Sequence, residues 1–383
     1  MDTFPERMYD TAVSGMFSNG TEKDGRKMGS VKRDGFRWPV EGEEAAGTLF
    51  NGAWPDRHVG RGEYRGLEFL HVNARTVINT VPASSRMSFK YTINAYRGCS
   101  HACTYCFARP THEFLGLGIG EDFERRIVVK VNAVERARAE LSSPRWQGDL
   151  IAMGTNTDPY QHAEGKYHLT RGIVEVLSER RNPFSILTKS TLILRDLTLL
   201  AEAAARTSVR ANLSIGTLDR EVWRLTEPGT PPPDKRVEAV RRLNDAGVPC
   251  GVLVAPVLPG LSDTDEQVTA VVEACRDAGA VGVSVVALHL RPGVREHYLA
   301  WLAATRPDLV DLHATRFGRG AYQHRREQER LSAVVARVMG HPPAPGTVLM
   351  QPRDEVVDPS LEPRPEPAQL ALFSAGPDRQ EKG

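Results

Sequence analysis

Three cysteines stand within eight residues, in Tyr96-Arg97-Gly98-Cys99-Ser100-His101-Ala102-Cys103-Thr104-Tyr105-Cys106. Only two others exist, Cys250 and Cys275, so most of the thiols lie in one short segment. A disulfide between any two of the three would strand the third. Thiolates are soft donors that suit zinc, Cu(I) and iron–sulfur clusters. A structural zinc wants four closed ligands. Its fourth would be His101, His112 or a distant group. A [4Fe–4S] cluster held by three cysteines leaves one iron open to a substrate or cofactor. Either way, the spacing predicts a metal centre.

The elements that must position this segment are legible as a rhythm. Short apolar runs alternate with amphipathic stretches: Ile127–Val131 then Ala133–Leu141, Asp149–Gly154 then Leu169–Arg180, Phe184–Thr188 then Leu194–Ala205. The pattern continues with Val209–Gly216 before Lys235–Ala246, Cys250–Leu258 before Asp265–Ala278, and Val281–Leu290 before a helix near His297–Ala304. Asp245-Ala246-Gly247 and Asp277-Ala278-Gly279 are helix stop signals. Repeated strand–helix units predict an α/β fold with a parallel sheet and helices outside. Six or seven such units predict a partial (β/α) barrel with function at the strands' C-terminal ends. The cysteines follow the strand-like Phe89–Asn94, which puts them at that face.

The composition divides the chain into a polar, Gly-rich segment 1–45 expected to be disordered, an extension 46–90 packing on the barrel, the barrel itself at 91–341, and a Pro-rich flexible tail, 342–383. A net charge of +1 makes no global case for nucleic acid, so any such surface must be local. One local candidate is the basic stretch His313, Arg316, Arg319, Arg325, Arg326 and Arg330, with Tyr322 among them. No apolar run reaches transmembrane length, and few, clustered cysteines suit a reducing cytoplasm.

The C-x3-C-x-aromatic-C spacing, with Tyr105 before the last cysteine, resembles the signature of radical S-adenosylmethionine (SAM) enzymes. Further segments resemble the spore photoproduct lyase-like branch of that superfamily: Thr155-Asn156-Thr157-Asp158-Pro159-Tyr160-Gln161 with Glu164, Leu187–Ser190, Arg195-Asp196, Ser214–Asp219, Glu227-Pro228 and Ala255–Gly260. The resemblance implies a partial (β/α)6 barrel in which Cys99, Cys103 and Cys106 ligate one [4Fe–4S] cluster. SAM would chelate the fourth iron, and an electron donor such as flavodoxin or ferredoxin would reduce it. It also implies that Lys189 meets the SAM carboxylate, Ser214 bonds the same ligand and Tyr105 packs beside adenine. Asp158, with Glu164, would reach ribose or substrate. Each has a plainer alternative, respectively a salt-bridged lysine, a strand-end cap, a loop aromatic and a turn residue.

Lys130, Asn156 and Tyr160 share the predicted rim as pocket candidates. One departure matters. Thr155 stands about where spore photoproduct lyase carries its cysteine hydrogen donor, and an O–H is a much poorer donor than S–H. Cys250 is the candidate substitute, or else a small core residue like Cys275.

Within the tail, Gln369, Leu370, Leu372 and Phe373 fit the bacterial sliding-clamp pattern Gln-Leu-x-Leu-Phe. Three readings follow. The first is a cytoplasmic radical SAM enzyme acting on nucleic acid, as in DNA repair. The second is radical SAM modification of RNA, a protein or a small metabolite. The third is a non-catalytic Fe–S or zinc adaptor bound to the replication clamp.

Overall fold

The computed structural model describes residues 56–341, apart from 83–86 and 88. The expected disordered segment 1–45 and the tail with Gln369–Phe373 lie outside the described residues. The chain enters through strands β1 (Asp56–Val59) and β2 (Glu68–Val72), then β3 (Ile78–Thr80) and β4 (Tyr91–Ile93). The cysteine segment follows, bounded by β5 (Tyr96–Arg97) and β6 (Arg126–Lys130). From there the rhythm holds: β7 (Ile151–Met153), β8 (Phe184–Thr188), β9 (Val209–Ser214), β10 (Cys250–Val257) and β11 (Val283–Ala287), with helices between them.

Strands β4 and β7 to β11 lie side by side in chain order, and every neighbouring pair is parallel. β3 closes the β4 edge as an antiparallel strand. This is the partial barrel, six parallel strands within a sheet of seven. β7 and most of β10 are buried residue after residue, whereas β8 and β9 alternate, with Ser185, Leu187 and Asn212 half-buried and Arg210 exposed.

Helix Asp265–Asp277 shows how the sequence writes one unit. A reciprocal capping box joins Thr264 and Gln267 at its start. Val268, Val271, Val272 and Cys275, spaced by three, one and three residues, form its buried stripe. Gly279 ends it with φ +80°, letting Gly279 N donate to Arg276 O and Ala280 N to Cys275 O. Helix Pro233–Asp245 ends the same way at Gly247, so the repeated Asp-Ala-Gly is a repeated stop.

The open β11 edge is managed by a side chain. Gln328, on helix Arg325–Met339, accepts from Ala287 N at 3.0 Å and donates to Val285 O at 3.0 Å. It occupies backbone groups that would otherwise offer a template for another strand.

Two expectations are corrected. The apolar run Ile127–Val131 reads as a barrel strand, yet β6 belongs to a second, four-stranded sheet, β1-β2-β6-β5. β2 pairs with it in parallel and β5 antiparallel, so both its edges are taken before the barrel can use them. The segment before Lys90 also does more than pack on the barrel. It supplies strands to both sheets, and Glu140 accepts from Val77 N and Ile78 N to tie it to helix Ala133–Leu141. No described helix is long and apolar enough to cross a membrane.

Candidate active site

The C-terminal ends of β4, β7, β8, β9 and β10 converge on the cysteine loop. Gln161, after β7, is fully buried and reaches both ends of the loop's first turn. Its Nε2 donates to Gly98 O at 3.0 Å, and its Oε1 accepts from Ser100 N at 3.1 Å and Ser100 Oγ at 3.4 Å. Thr157 Oγ1 adds a bond to Gly98 O at 2.6 Å. Gly98 itself has φ +76°, and a Cβ there would lie 2.8 Å from His112 Cε1 and from Phe123 O. On the far side, Arg109 donates from Nε and Nη2 to Cys103 O while its charge meets Glu124.

The loop's floor is the turn Glu227–Thr230. Thr104 N donates to Thr226 O at 3.0 Å and Gly229 N to His101 O at 3.1 Å. Gly229 is seated so closely that a Cβ would fall 2.2 Å from Ser100 O, a backbone atom. Gly229→Ala therefore should push the loop off its floor at a cost of about 1–3 kcal/mol. The expected result is weakened metal loading with all three cysteines intact, read as iron per chain after anaerobic reconstitution.

Beneath the loop lies a buried charge network. Lys189, at the end of β8, donates to Ser214 Oγ at 2.8 Å, Glu227 Oε1 at 2.8 Å and Ala255 O at 3.2 Å. Arg236 pairs with the other Glu227 oxygen, and the Tyr105 hydroxyl donates to the first. Burial alone would raise the Glu227 carboxyl, but the Arg236 and Lys189 charges outweigh it and hold it far below the ordinary carboxylate range. Burial, then the Glu227 charge, push the Tyr105 hydroxyl well up, so it remains a donor.

Lys189, Ser214 and Tyr105 are thus brought together. All three Lys189 protons have protein acceptors, so a ligand carboxylate would share this ammonium with Glu227. Asp158 sits beside them, accepting from Lys189 N at 2.7 Å, Thr188 Oγ1 at 2.6 Å and Tyr160 N at 2.9 Å. Its second role is to hold His101, whose Nδ1 lies 3.3 Å from Asp158 Oδ2. Burial favours the neutral acid, yet His101 and these donors keep Asp158 below its usual value.

Other candidates fall elsewhere. Glu164 is fully buried and saturated by Tyr96, Arg195 and the backbone N–H groups of Thr170 and Arg171, which makes it a structural anchor. Asn94 joins Thr155 and Asn156, with Asn156 N donating to Asn94 Oδ1. Lys130 is buried at the end of β6, and desolvation lowers it to about 7. Cys250 begins β10, whereas Ala255 of the same strand meets Lys189. At about 3.3 Å per residue, five residues put its thiol about 16 Å from this end. Burial raises it to about 12, the state of a core thiol. Cys275 is equally buried on its helix.

The basic stretch also breaks up. Arg316 pairs with Glu327 and Asp263, Arg325 with Glu329, and Arg330 with Asp265 and Glu327. His313 is buried against Tyr298. Arg319 and Arg326 stay exposed.

The donor chemistry says what this loop can hold. Burial is the first cause raising all three thiols, strongly for Cys99 and Cys103, and neighbouring negative groups add to it for these two. Three desolvated thiols want a cationic centre, which deprotonates a coordinating thiol outright. A tetrahedral zinc at 2.3 Å would draw its sulfurs to about 3.8 Å apart. Among the described residues, the one group of three or more His, Cys, Asp or Glu with ligand atoms all within 4.8 Å is Asp56, His58 and His71. That group lies on β1 and β2. In a cubane cluster each thiolate would bind its own iron, so three cysteines suit a cluster with one iron left open.

Residues that spacing alone did not single out are Gln161, Arg109, Arg236 and Glu227 as the loop's anchors. Gln161 and Glu227 stood within motif segments, but their partners are 61 and 122 residues away in sequence.

The sequence model described as the radical SAM superfamily matches residues 93–273. A Mycobacterium tuberculosis protein described as uncharacterized is 44% identical over 296 residues, covering 76% of this chain and 87% of the relative. A Methanocaldococcus jannaschii protein, also described as uncharacterized, is 30% identical over 199 residues, covering 52% and 71% respectively. Among solved structures, spore photoproduct lyase complexed with dinucleoside spore photoproduct superimposes with a TM-score of 0.54 at 20% identity, covering 71% of this chain and 78% of that one.

Proposed function

Because this chain is an enzyme belonging to the radical SAM superfamily, we propose that Cys99, Cys103 and Cys106 hold a [4Fe–4S] cluster with one iron open to SAM, and that the substrate is a nucleic acid. The observation that carries the cofactor assignment is the loop itself: three thiols, those of Cys99 and Cys103 buried and that of Cys106 half-buried, anchored at the converging strand ends. When bound, cluster and SAM together supply a 5′-deoxyadenosyl radical that takes hydrogen from carbon.

The chain's own residues do the rest. Gln161 and Thr157 fix the loop to the segment after β7, and Arg109 braces it from the far side against Glu124. Asp158 orients His101 inside the loop. Glu227 holds Tyr105 and Lys189 in place, and Lys189 with Ser214 offers a positive, hydrogen-bonding end to the methionyl carboxylate.

The nucleic-acid assignment is supported by the shared fold with spore photoproduct lyase, whose structure holds a dinucleoside photoproduct. The reaction differs in its hydrogen return. Thr155 stands near the site where a donor thiol would serve, and Cys250 is about 16 Å from that end. Hydrogen therefore returns by a route other than a Cys250 thiol. The test is anaerobic reconstitution with SAM and a reductant, offering damaged DNA, undamaged DNA and RNA in turn. 5′-Deoxyadenosine should rise above the substrate-free level with DNA. Equal release in every arm overturns the nucleic-acid assignment and leaves the cofactor assignment standing.

We also propose the sliding clamp as a partner through Gln369, Leu370, Leu372 and Phe373, on the motif alone. A peptide spanning 363–377 should bind a bacterial clamp at about micromolar Kd, roughly −8 kcal/mol. Leu372→Ala with Phe373→Ala should remove that binding, since these side chains carry most of the apolar area. Calorimetry that detects nothing at high clamp concentration rejects the partner.

A further inference from the structure

Strand geometry puts a second set of ligands on the other sheet. Asp56 and His58 are two residues apart on β1, so they share a face. β1 and β2 are antiparallel, and their register sets Asp56 directly opposite His71. The three side chains therefore meet at one point of the hairpin, two from one strand and one from its neighbour. Asp56 Oδ2 lies 2.8 Å from His58 Nε2, the His58 and His71 rings stack with centroids 4.0 Å apart, and one ligand atom from each residue lies within 4.8 Å of the others.

We propose that Asp56, His58 and His71 bind one divalent first-row metal ion of the zinc type, separately from the cysteine loop. Two imidazoles and one carboxylate suit Zn2+, and three protein ligands on one face leave the remaining positions to water. The ring of His71 is held from outside: its Nε2 meets Tyr167 Oη at 2.8 Å, and the Tyr167 ring stands edge-on at 5.2 Å. Such outer contacts are what orient a ligating histidine. Tyr167 ends helix His162–Tyr167, which begins directly after Gln161. The ion would pin the hairpin beside the helix that follows the loop anchor.

The test is a Co2+ titration of the full chain after cluster reconstitution and removal of loose iron, repeated on the Cys99→Ala, Cys103→Ala, Cys106→Ala triple variant. One equivalent should bind in both, with a ligand-field spectrum that lacks sulfur-to-cobalt charge transfer, and Zn2+ should displace it. His58→Ala and His71→Ala should each abolish this binding, and Tyr167→Phe should weaken it about tenfold. Iron content and far-ultraviolet circular dichroism of these variants should match wild type, which separates ligand loss from misfolding. If the triple variant does not fold, the reconstituted chain alone decides. No saturable Co2+ binding, a sulfur charge-transfer band, or binding that survives both histidine changes overturns the site. An ion pair only would then remain.

Discussion

Replacing Cys99, Cys103 or Cys106 with alanine should empty the chain of cluster iron, from about four irons to none. The reason lies in the cost of the alternative. With two thiolates left, the centre loses one of its three cysteine ligands in a loop where Cys99 and Cys103 are buried and Cys106 half-buried. Cys250→Ala and Cys275→Ala should leave iron and labile sulfide unchanged, because both side chains pack in the barrel core. Iron and sulfide assays after anaerobic reconstitution decide it. Stoichiometric zinc without labile sulfide in the wild-type chain would sink the cluster.

The second large effect is expected at Glu227. Its carboxylate faces Lys189 and Arg236, and Arg236 is fully buried. Glu227→Gln keeps the shape but leaves two cations around a neutral amide. Breaking a buried pair in this way costs about 3–5 kcal/mol, a large share of the 5–15 kcal/mol that holds a typical domain. Thermal or denaturant unfolding should show the loss.

The pH dependence has a definite sign. Because the folded carboxyl is held far below its usual range, its contribution is complete above about pH 4.5, the unfolded value, and fades as pH falls towards the folded one. Wild type and Glu227→Gln should therefore differ by a constant amount near neutrality and converge only in acid. A gap that closes between pH 6 and 8 would show that some other group governs it. The same change should reduce SAM affinity, since the negative charge that holds Tyr105 and Lys189 in place is gone. Unchanged stability would mean that water already reaches the pair.

What the sequence determined by itself is local. The three cysteines are legible because their spacing falls within one turn of chain, with no fold needed to bring them together. The strand–helix units are legible because each carries its own period and its own punctuation, from the Thr264 capping box to the Asp-Ala-Gly stops. Even the location of the loop follows, since parallel strands send all their C-terminal ends one way. That rule also speaks against Cys250: a thiol at the start of a strand stands at the wrong end.

Tertiary structure decided the rest, because it depends on pairings between distant segments. Ile127–Val131 reads as a barrel strand, but its strand joins another sheet, since β2 and β5 claim its edges. Lys189 reads either as a cation for a ligand carboxylate or as a salt-bridged lysine, and only the fold supplies its partners Glu227, Ser214 and Ala255. The basic stretch reads as a phosphate surface and spends Arg316, Arg325 and Arg330 on acidic neighbours. Charge and hydrogen-bonding capacity are properties of a residue, and a sequence states them. Which of them stays available is a property of its neighbours, and only the folded chain assigns those.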